Sequence, residues 1–145
     1  MKELKKDELI RELRACGISP SPQRVGIYGF LKSHPIHPTA DLIMKELRPH
    51  LPTLSLTTVY NTLKLFVSKK LICEVIIEDG ELRFDADMSD HAHFKCLKCQ
   101  KVFDLFPESG KIDTSGLPEV PSGFTVSSVH ICLKGHCRSC LEQTV

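Results

Sequence analysis

The chain has 145 residues, a formal net charge of +1 at pH 7, 41% hydrophobic and 26% charged residues, which describes one ordinary soluble domain or two small ones with a modest core. No apolar run approaches the roughly 18 residues needed to span a membrane. The charged, amphipathic opening M-K-E-L-K-K-D-E-L-I lacks a signal peptide's apolar core and cleavage site, so a cytoplasmic protein with no membrane partner is expected.

The first half reads as helices. Leu9, Ile10, Leu13 and Cys16 recur at helical spacing and Gly17 is a C-terminal stop. Ser21 then reads as an N-cap with Pro22 at the first helical position, and Val25, Ile27, Tyr28 and Leu31 continue that helix to His34-Pro35. Thr39 can cap a third helix carrying Leu42, Ile43 and Leu47, ended by Pro49 and Pro52. Ser55 can cap a fourth, L-T-T-V-Y-N-T-L-K-L-F-V. Its inner face is Val59, Leu63, Phe66 and Val67, and its outward positions include Thr57, Thr58, Asn61 and Lys64. L-I-C-E-V-I-I-E, Asp79-Gly80 and E-L-R-F-D form a strand, turn, strand signal. Helices followed by a short hairpin predict a winged helix-turn-helix, whose last helix enters the DNA major groove.

The second half is strand-rich. H-A-H-F-K-C and K-V-F-D-L-F flank a C-x-x-C, and Phe124 to Leu133 alternates again. Residues 107–121 read as irregular with room for a short helix, and 85–90 as a link. The expected organisation is a DNA-binding domain over 1–84, a hinge over 85–90 and a second domain over 91–145. The charge is divided accordingly: residues 1–84 carry 13 Lys/Arg against 10 Asp/Glu, and residues 85–145 carry 6 against 8. No acid occurs between Leu47 and Cys73, where Arg48, Lys64, Lys69 and Lys70 are basic. Such a patch permits a polyanion partner and is equally compatible with a solvated face.

Seven cysteines is an odd number, and in a reducing compartment paired cysteines favour metal over disulfide. Cys96-Leu97-Lys98-Cys99 and Cys137-Arg138-Ser139-Cys140 can together complete a tetrahedral four-thiolate shell. That shell suits zinc and, having no open position, is structural. Cys16, Cys73 and Cys132 lie outside both pairs and are expected to pack as small apolar groups.

His91 and His93 are then left over. Two residues apart on a strand, they share a side, whereas Cys96 lies an odd number of steps from both. The stretch H-A-H-F-K-C-L-K-C is therefore expected to serve two metals. Asp85, Asp87 and Asp90 lie upstream, and a hairpin can bring Asp104 near His93. Imidazole and carboxylate without thiolate suit ferrous iron or manganese, with zinc and nickel still open.

Taken together, P-Q-R at 22–24, H-P-T-A at 37–40, T-V-Y-N-T-L at 58–63, H-x-H-x-x-C-x-x-C at 91–99 and the closing C-x-x-C span nearly the whole chain. With them the sequence resembles the ferric uptake regulator family of bacterial metal-dependent repressors, and within it the peroxide-sensing members. The resemblance implies an α+β homodimer: an N-terminal winged helix-turn-helix binding an inverted-repeat double-stranded DNA operator, then a small α/β dimerisation domain with the four-cysteine zinc site. It implies DNA contacts from Arg24, Thr57, Thr58, Tyr60, Asn61 and Lys64, with Lys69 and Lys70 weaker candidates for phosphate. It implies a regulatory Fe2+ or Mn2+ held by His37, Asp85, His91, His93 and Asp104. Iron-uptake regulators of the family usually place Glu at positions 85 and 104. A further metal site of those regulators would fall near Asp90, Ala92, Lys111 and Val129, three of which cannot serve as ligands.

The implied mechanism has His37 joining the DNA-binding half to the second half through the metal. Ferrous iron with peroxide would then oxidise His37 or His91 on its ring and end repression. The alternative is an iron-uptake repressor that reports metal occupancy alone. Enzymatic turnover is not expected: no acid-base partner beyond the ligands is apparent, and the T-T-V-Y-N-T-L helix has no role in an enzyme. Departures from the family pattern are Met44 where an aromatic is common, Gln100 for the usual Gly, His136, and the Pro/Gly-rich 107–121.

Overall fold

The computed structural model describes residues 5–78 and 80–143, so the Asp79 half of the predicted Asp79-Gly80 turn and the first four residues lie outside the described residues. The fold is α+β and divides into two compact units, Met1–Met88 and Ser89–Val145. Among the described residues no helix is long and apolar enough to cross a membrane.

The first unit contains α1 (Lys6–Ala15), α2 (Pro22–Ser33), α3 (Ala40–Leu47), α4 (Leu56–Ser68), β1 (Cys73–Glu78) and β2 (Glu81–Asp85). Side-chain caps set three helix starts. Ser21 accepts from the Arg24 amide, Thr39 from Leu42 and Ser55 from Thr58, each satisfying an amide that the helix cannot. α1 ends at Gly17 (φ +72), where Ile18 donates to the Leu13 carbonyl and Gly17 to Arg14, the Schellman pattern. α4 ends identically, with Leu71 bonded to Phe66 and Lys70 to Val67, but its left-handed residue is Lys70 (φ +56).

Leu13, Ile27, Ile43, Val59, Leu63 and Phe66 form the centre of the core, all fully buried. The predicted inner face of α4 is buried or half-buried, joined by Thr62. Two glycines of α2 permit close packing. A β-carbon on Gly26 would lie 2.9 Å from Leu51 Cδ1, and one on Gly29 would lie 3.0 Å from Leu9 Cδ1. β1 and β2 pair antiparallel as the wing, with Cys73 opposite Asp85. A third extended segment joins this wing before α3. Thr39 bridges Arg83, and the Phe84 amide donates to the Pro38 carbonyl at 3.1 Å.

The second unit holds β3 (Ala92–Cys96), β4 (Val102–Leu105), β5 (Cys132–Gly135) and α5 (Arg138–Glu142). The sheet order is β4-β3-β5, with β3 antiparallel to β4 and parallel to β5. One expectation is corrected here. The alternation from Phe124 to Leu133 becomes strand only from Cys132, because Phe124, Val126 and Val129 remain exposed with no pairing edge. Residues 107–121 are irregular, as read from the sequence, and the short helix for which there was room does not form. The short α5 was not expected; five residues carry too little periodicity to be read.

α1 and α2 are fastened by a polar group at the rim. The Tyr28 hydroxyl donates to Glu12, and Lys32 Nζ lies 2.7 Å from Glu12 Oε1. Burial alone would raise the Glu12 pKa, but the bonds from Lys32 and Tyr28 outweigh it and the carboxyl sits below its ordinary 4.5. Its stabilisation is present above about pH 4.5 and is lost as pH falls through the depressed folded value. Glu12→Gln should cost about 1 kcal/mol at pH 7 and remove part of the acid-limb slope, as checked by urea unfolding from pH 7 to 3.

Candidate metal centres and nucleic-acid interface

Four thiols gather at one end of the second unit. Cys96 ends β3, Cys99 follows in the tight turn toward β4, Cys137 caps α5, and Cys140 lies on that helix. Their sulfurs all lie within 4.8 Å of one another, and Cys99 Sγ is 3.8 Å from Cys137 Sγ. A tetrahedron with metal–sulfur bonds of about 2.3 Å has an edge of roughly 3.8 Å. The chemistry of the set, four thiolates with no other donor, fits zinc.

The local backbone explains the convergence. The Gln100 amide bonds the Cys96 carbonyl at 2.9 Å, folding the first knuckle, and the Leu97 amide bonds the Gly135 carbonyl at 2.7 Å, tying it to β5. The amides of Cys99 and Cys137 point at the Cys96 sulfur and lower its pKa to about 5. Burial first, then the neighbouring thiols, raises Cys140 to about 12. Loading a metal on this set therefore releases protons. The knuckle requires φ +64 at Gln100. Left-handed backbone disfavours a β-carbon.

The nine-residue stretch from His91 to Cys99 divides between two donor groups. His93 pairs in register with Asp104 on β4, while Cys96 pairs with Gly135 on β5. His91 and His93 stand with ring centroids 4.7 Å apart. Their Nε2 atoms lie 3.5 and 3.4 Å from Asp104 Oδ1. His91 Nδ1 is 2.7 Å from the Ser89 carbonyl. A carbonyl only accepts, so Nδ1 donates to Ser89, and in the neutral ring Nε2 is the nitrogen left to bind a metal.

The first unit holds a second pair. His37 and Asp85 are both buried, with Nε2 3.2 Å from Oδ2. The Asp87 amide donates to Asp85 Oδ1 at 2.8 Å, leaving Oδ2 to the histidine. The Phe84–Pro38 bond and the Thr39–Arg83 bridge lay the His37 segment along β2, which ends at Asp85. His37 itself has φ +52, a costly conformation held by that pairing. Both donor groups, His37 with Asp85 and His91 and His93 with Asp104, offer only nitrogen and oxygen and fit ferrous iron or manganese.

On α4, Thr57, Tyr60, Asn61 and Lys64 are exposed and Thr58 is half-buried. A groove of about 470 Å³ joins Thr58 and Asn61 to Arg24 at the start of α2, and Ser19 and Gln23 line it too. Arg24 Nη1 donates to the Ser19 carbonyl at 2.8 Å, which fixes its guanidinium at the groove wall. Ser19 and Gln23 were not among the predicted contacts; their place in the groove depends on how α2 meets α4.

Cys137→Ser should remove one zinc per chain and loosen Ser89–Val145 while the helices of the first unit persist, measured by metal content and hydrogen exchange. Gln100→Gly should raise stability by about 1 kcal/mol in denaturant unfolding of the zinc-loaded protein.

Residues 15–132 match the Ferric uptake regulator family. The peroxide-responsive repressor PerR of Staphylococcus epidermidis is 33% identical over 138 residues, covering 94% of this chain and 91% of that protein. A solved structure of PerR from Streptococcus pyogenes, described as a basis for peroxide sensing and gene regulation, aligns at 25% identity and a TM-score of 0.52, covering 93% and 92% of the two chains. The ferric uptake regulator of Helicobacter pylori shares the fold, with a TM-score of 0.71 at 19% identity over 97% of each chain. The chain belongs to the Ferric uptake regulator family, metal-responsive DNA-binding repressors of transcription rather than enzymes.

Proposed function

We propose that this protein is a dimeric repressor whose operator affinity depends on a regulatory Fe2+ or Mn2+ and which senses hydrogen peroxide. The observation that carries the reading is the pair of donor groups, His37 with Asp85 in one unit and His91 and His93 with Asp104 in the other. Both are free of thiolate, and aspartate stands at both carboxylate positions. The name of the Staphylococcus epidermidis relative supports the same reading.

In this reading one ion takes all five ligands and fixes the two units relative to each other. Residues 85–90 act as the hinge. The recognition helix is α4, with Thr57, Thr58, Tyr60, Asn61 and Lys64 toward the major groove and Arg24 beside them. Two chains related by a twofold axis read an inverted repeat. Phe103, Phe106, Val126 and Leu133 are 41–59% exposed in the second unit, apolar area that a second copy would cover. Cys96, Cys99, Cys137 and Cys140 hold a structural zinc that stays in place throughout.

Ferrous iron, if bound, would catalyse opening of the peroxide O–O bond beside the imidazoles, the two electrons being drawn overall from the ring that is oxidised, whereas manganese would leave peroxide unreduced. His37 or His91 takes up one oxygen on a ring carbon, and the other leaves as water. The oxidised ring is a poor donor, so the link through His37 is lost and the hinge is released. His37 suits this role because its strained backbone already favours departure.

His37→Ala should lose at least about tenfold, ~1.4 kcal/mol, of the Mn2+-dependent gain in operator affinity while keeping its zinc, as measured by fluorescence anisotropy and metal analysis. An unchanged Mn2+ response would rule out His37 as the link.

A further inference from the structure

A second cleft in the first unit collects metal-binding side chains that the function above does not use. Its volume is about 340 Å³, and His34, Glu46 and His50 line it together with Phe30 and Leu47. His34 caps the end of α2 and is held in place. Its ring stacks on Phe30 with centroids 4.4 Å apart and planes at 22°. Its Nδ1 lies 3.0 Å from the Phe30 carbonyl. That carbonyl can only accept, so Nδ1 bears the proton and Nε2 of the neutral ring keeps its lone pair. An imidazole oriented through a backbone carbonyl is the usual arrangement in protein metal sites.

Glu46 and His50 come from the other wall. Helical bonding continues past α3, with Arg48 donating to Met44 and Leu51 to Leu47, both at 2.9 Å. Residues 46 and 50 therefore sit one turn apart on one face, the spacing at which two side chains can share a ligand. Both are exposed. The three donors do not yet meet within 4.8 Å, so closing on an ion means turning Glu46 and His50 inward toward the fixed ring of His34.

We propose that His34, Glu46 and His50 form a further cation site, selective for a borderline divalent ion such as zinc. Two imidazoles and one carboxylate are a zinc donor set with a fourth position for water. Magnesium or calcium, which want oxygen, would not compete. Occupancy braces the ends of α2 and α3 against each other. The end of α2 runs through Pro35 and Ile36 directly into His37, so the bound ion also steadies the segment that carries His37 to Asp85.

This inference stands apart from peroxide sensing and is tested apart from it. The full chain, purified with its structural zinc, is titrated with zinc chloride while imidazole 1H–15N spectra and bound metal are recorded. The His34 and His50 signals should shift together and saturate with one equivalent beyond the one reported by the His91 and His93 signals. His50→Ala should weaken that equivalent at least tenfold while the His91 and His93 signals still respond. A His34 signal unmoved through several equivalents overturns the proposal, as do His34 shifts that keep their full zinc affinity in both His50→Ala and Glu46→Gln; zinc taken up at His91 and His93 is read from their own signals.

Discussion

The alternation of strand β3 is the constraint on which both donor groups of the second unit depend. In five residues it places His93, paired with Asp104 of β4, and Cys96, the first residue of the knuckle, on opposite faces of the sheet. A shift of register by one residue would exchange the two faces. The histidine would then leave Asp104, and the sulfur would leave its three partners. Pairing on both sides holds the register. β4 returns through the Cys96–Cys99 turn, and β5 arrives in parallel and leads directly into Cys137 and α5. The four-thiolate cluster is thus both a product of the strand order and the fastener that keeps it, in a unit whose apolar side chains are mostly exposed.

An analogous constraint operates in the first unit. His37 reaches Asp85 because the residues just after it are hydrogen-bonded to β2 as an extra extended segment of the wing. The same few residues end at Thr39, which caps α3. Wing, histidine and the first helix of the helix-turn-helix are therefore mechanically one piece. A ligand acting on His37 acts on the scaffold that positions α4. His37 and Gln100 both occupy left-handed backbone: His37 beside a segment bonded to β2, Gln100 in a knuckle closed by its own bonds to Cys96 and Leu97.

Much of this was legible from residue order alone. Ser21, Thr39 and Ser55 marked helix starts because a cap is a local interaction between neighbours in sequence. The two C-x-x-C pairs and the His91–His93 spacing were legible because ligand geometry needs short, fixed separations. The parallel pairing of β3 with β5 was not legible, since it joins residues about forty positions apart. The Phe124–Leu133 alternation misled for a related reason: apolar period two signals a face, and a face becomes a strand only where an edge is available to pair. The groove residues Ser19 and Gln23 acquire meaning only when α2 is packed beside α4.

Peroxide sensing and plain metal sensing can share all five ligands, so ligand identity alone does not separate them. The most direct measurement is peptide mass after loading the zinc-containing protein with ferrous iron or with manganese and adding hydrogen peroxide. A gain of one oxygen on the His37 or His91 peptide, with iron only and together with loss of operator binding, is the predicted result. Unmodified histidines, with operator binding following metal occupancy alone, would contradict peroxide sensing and make the protein a repressor that reports iron or manganese supply.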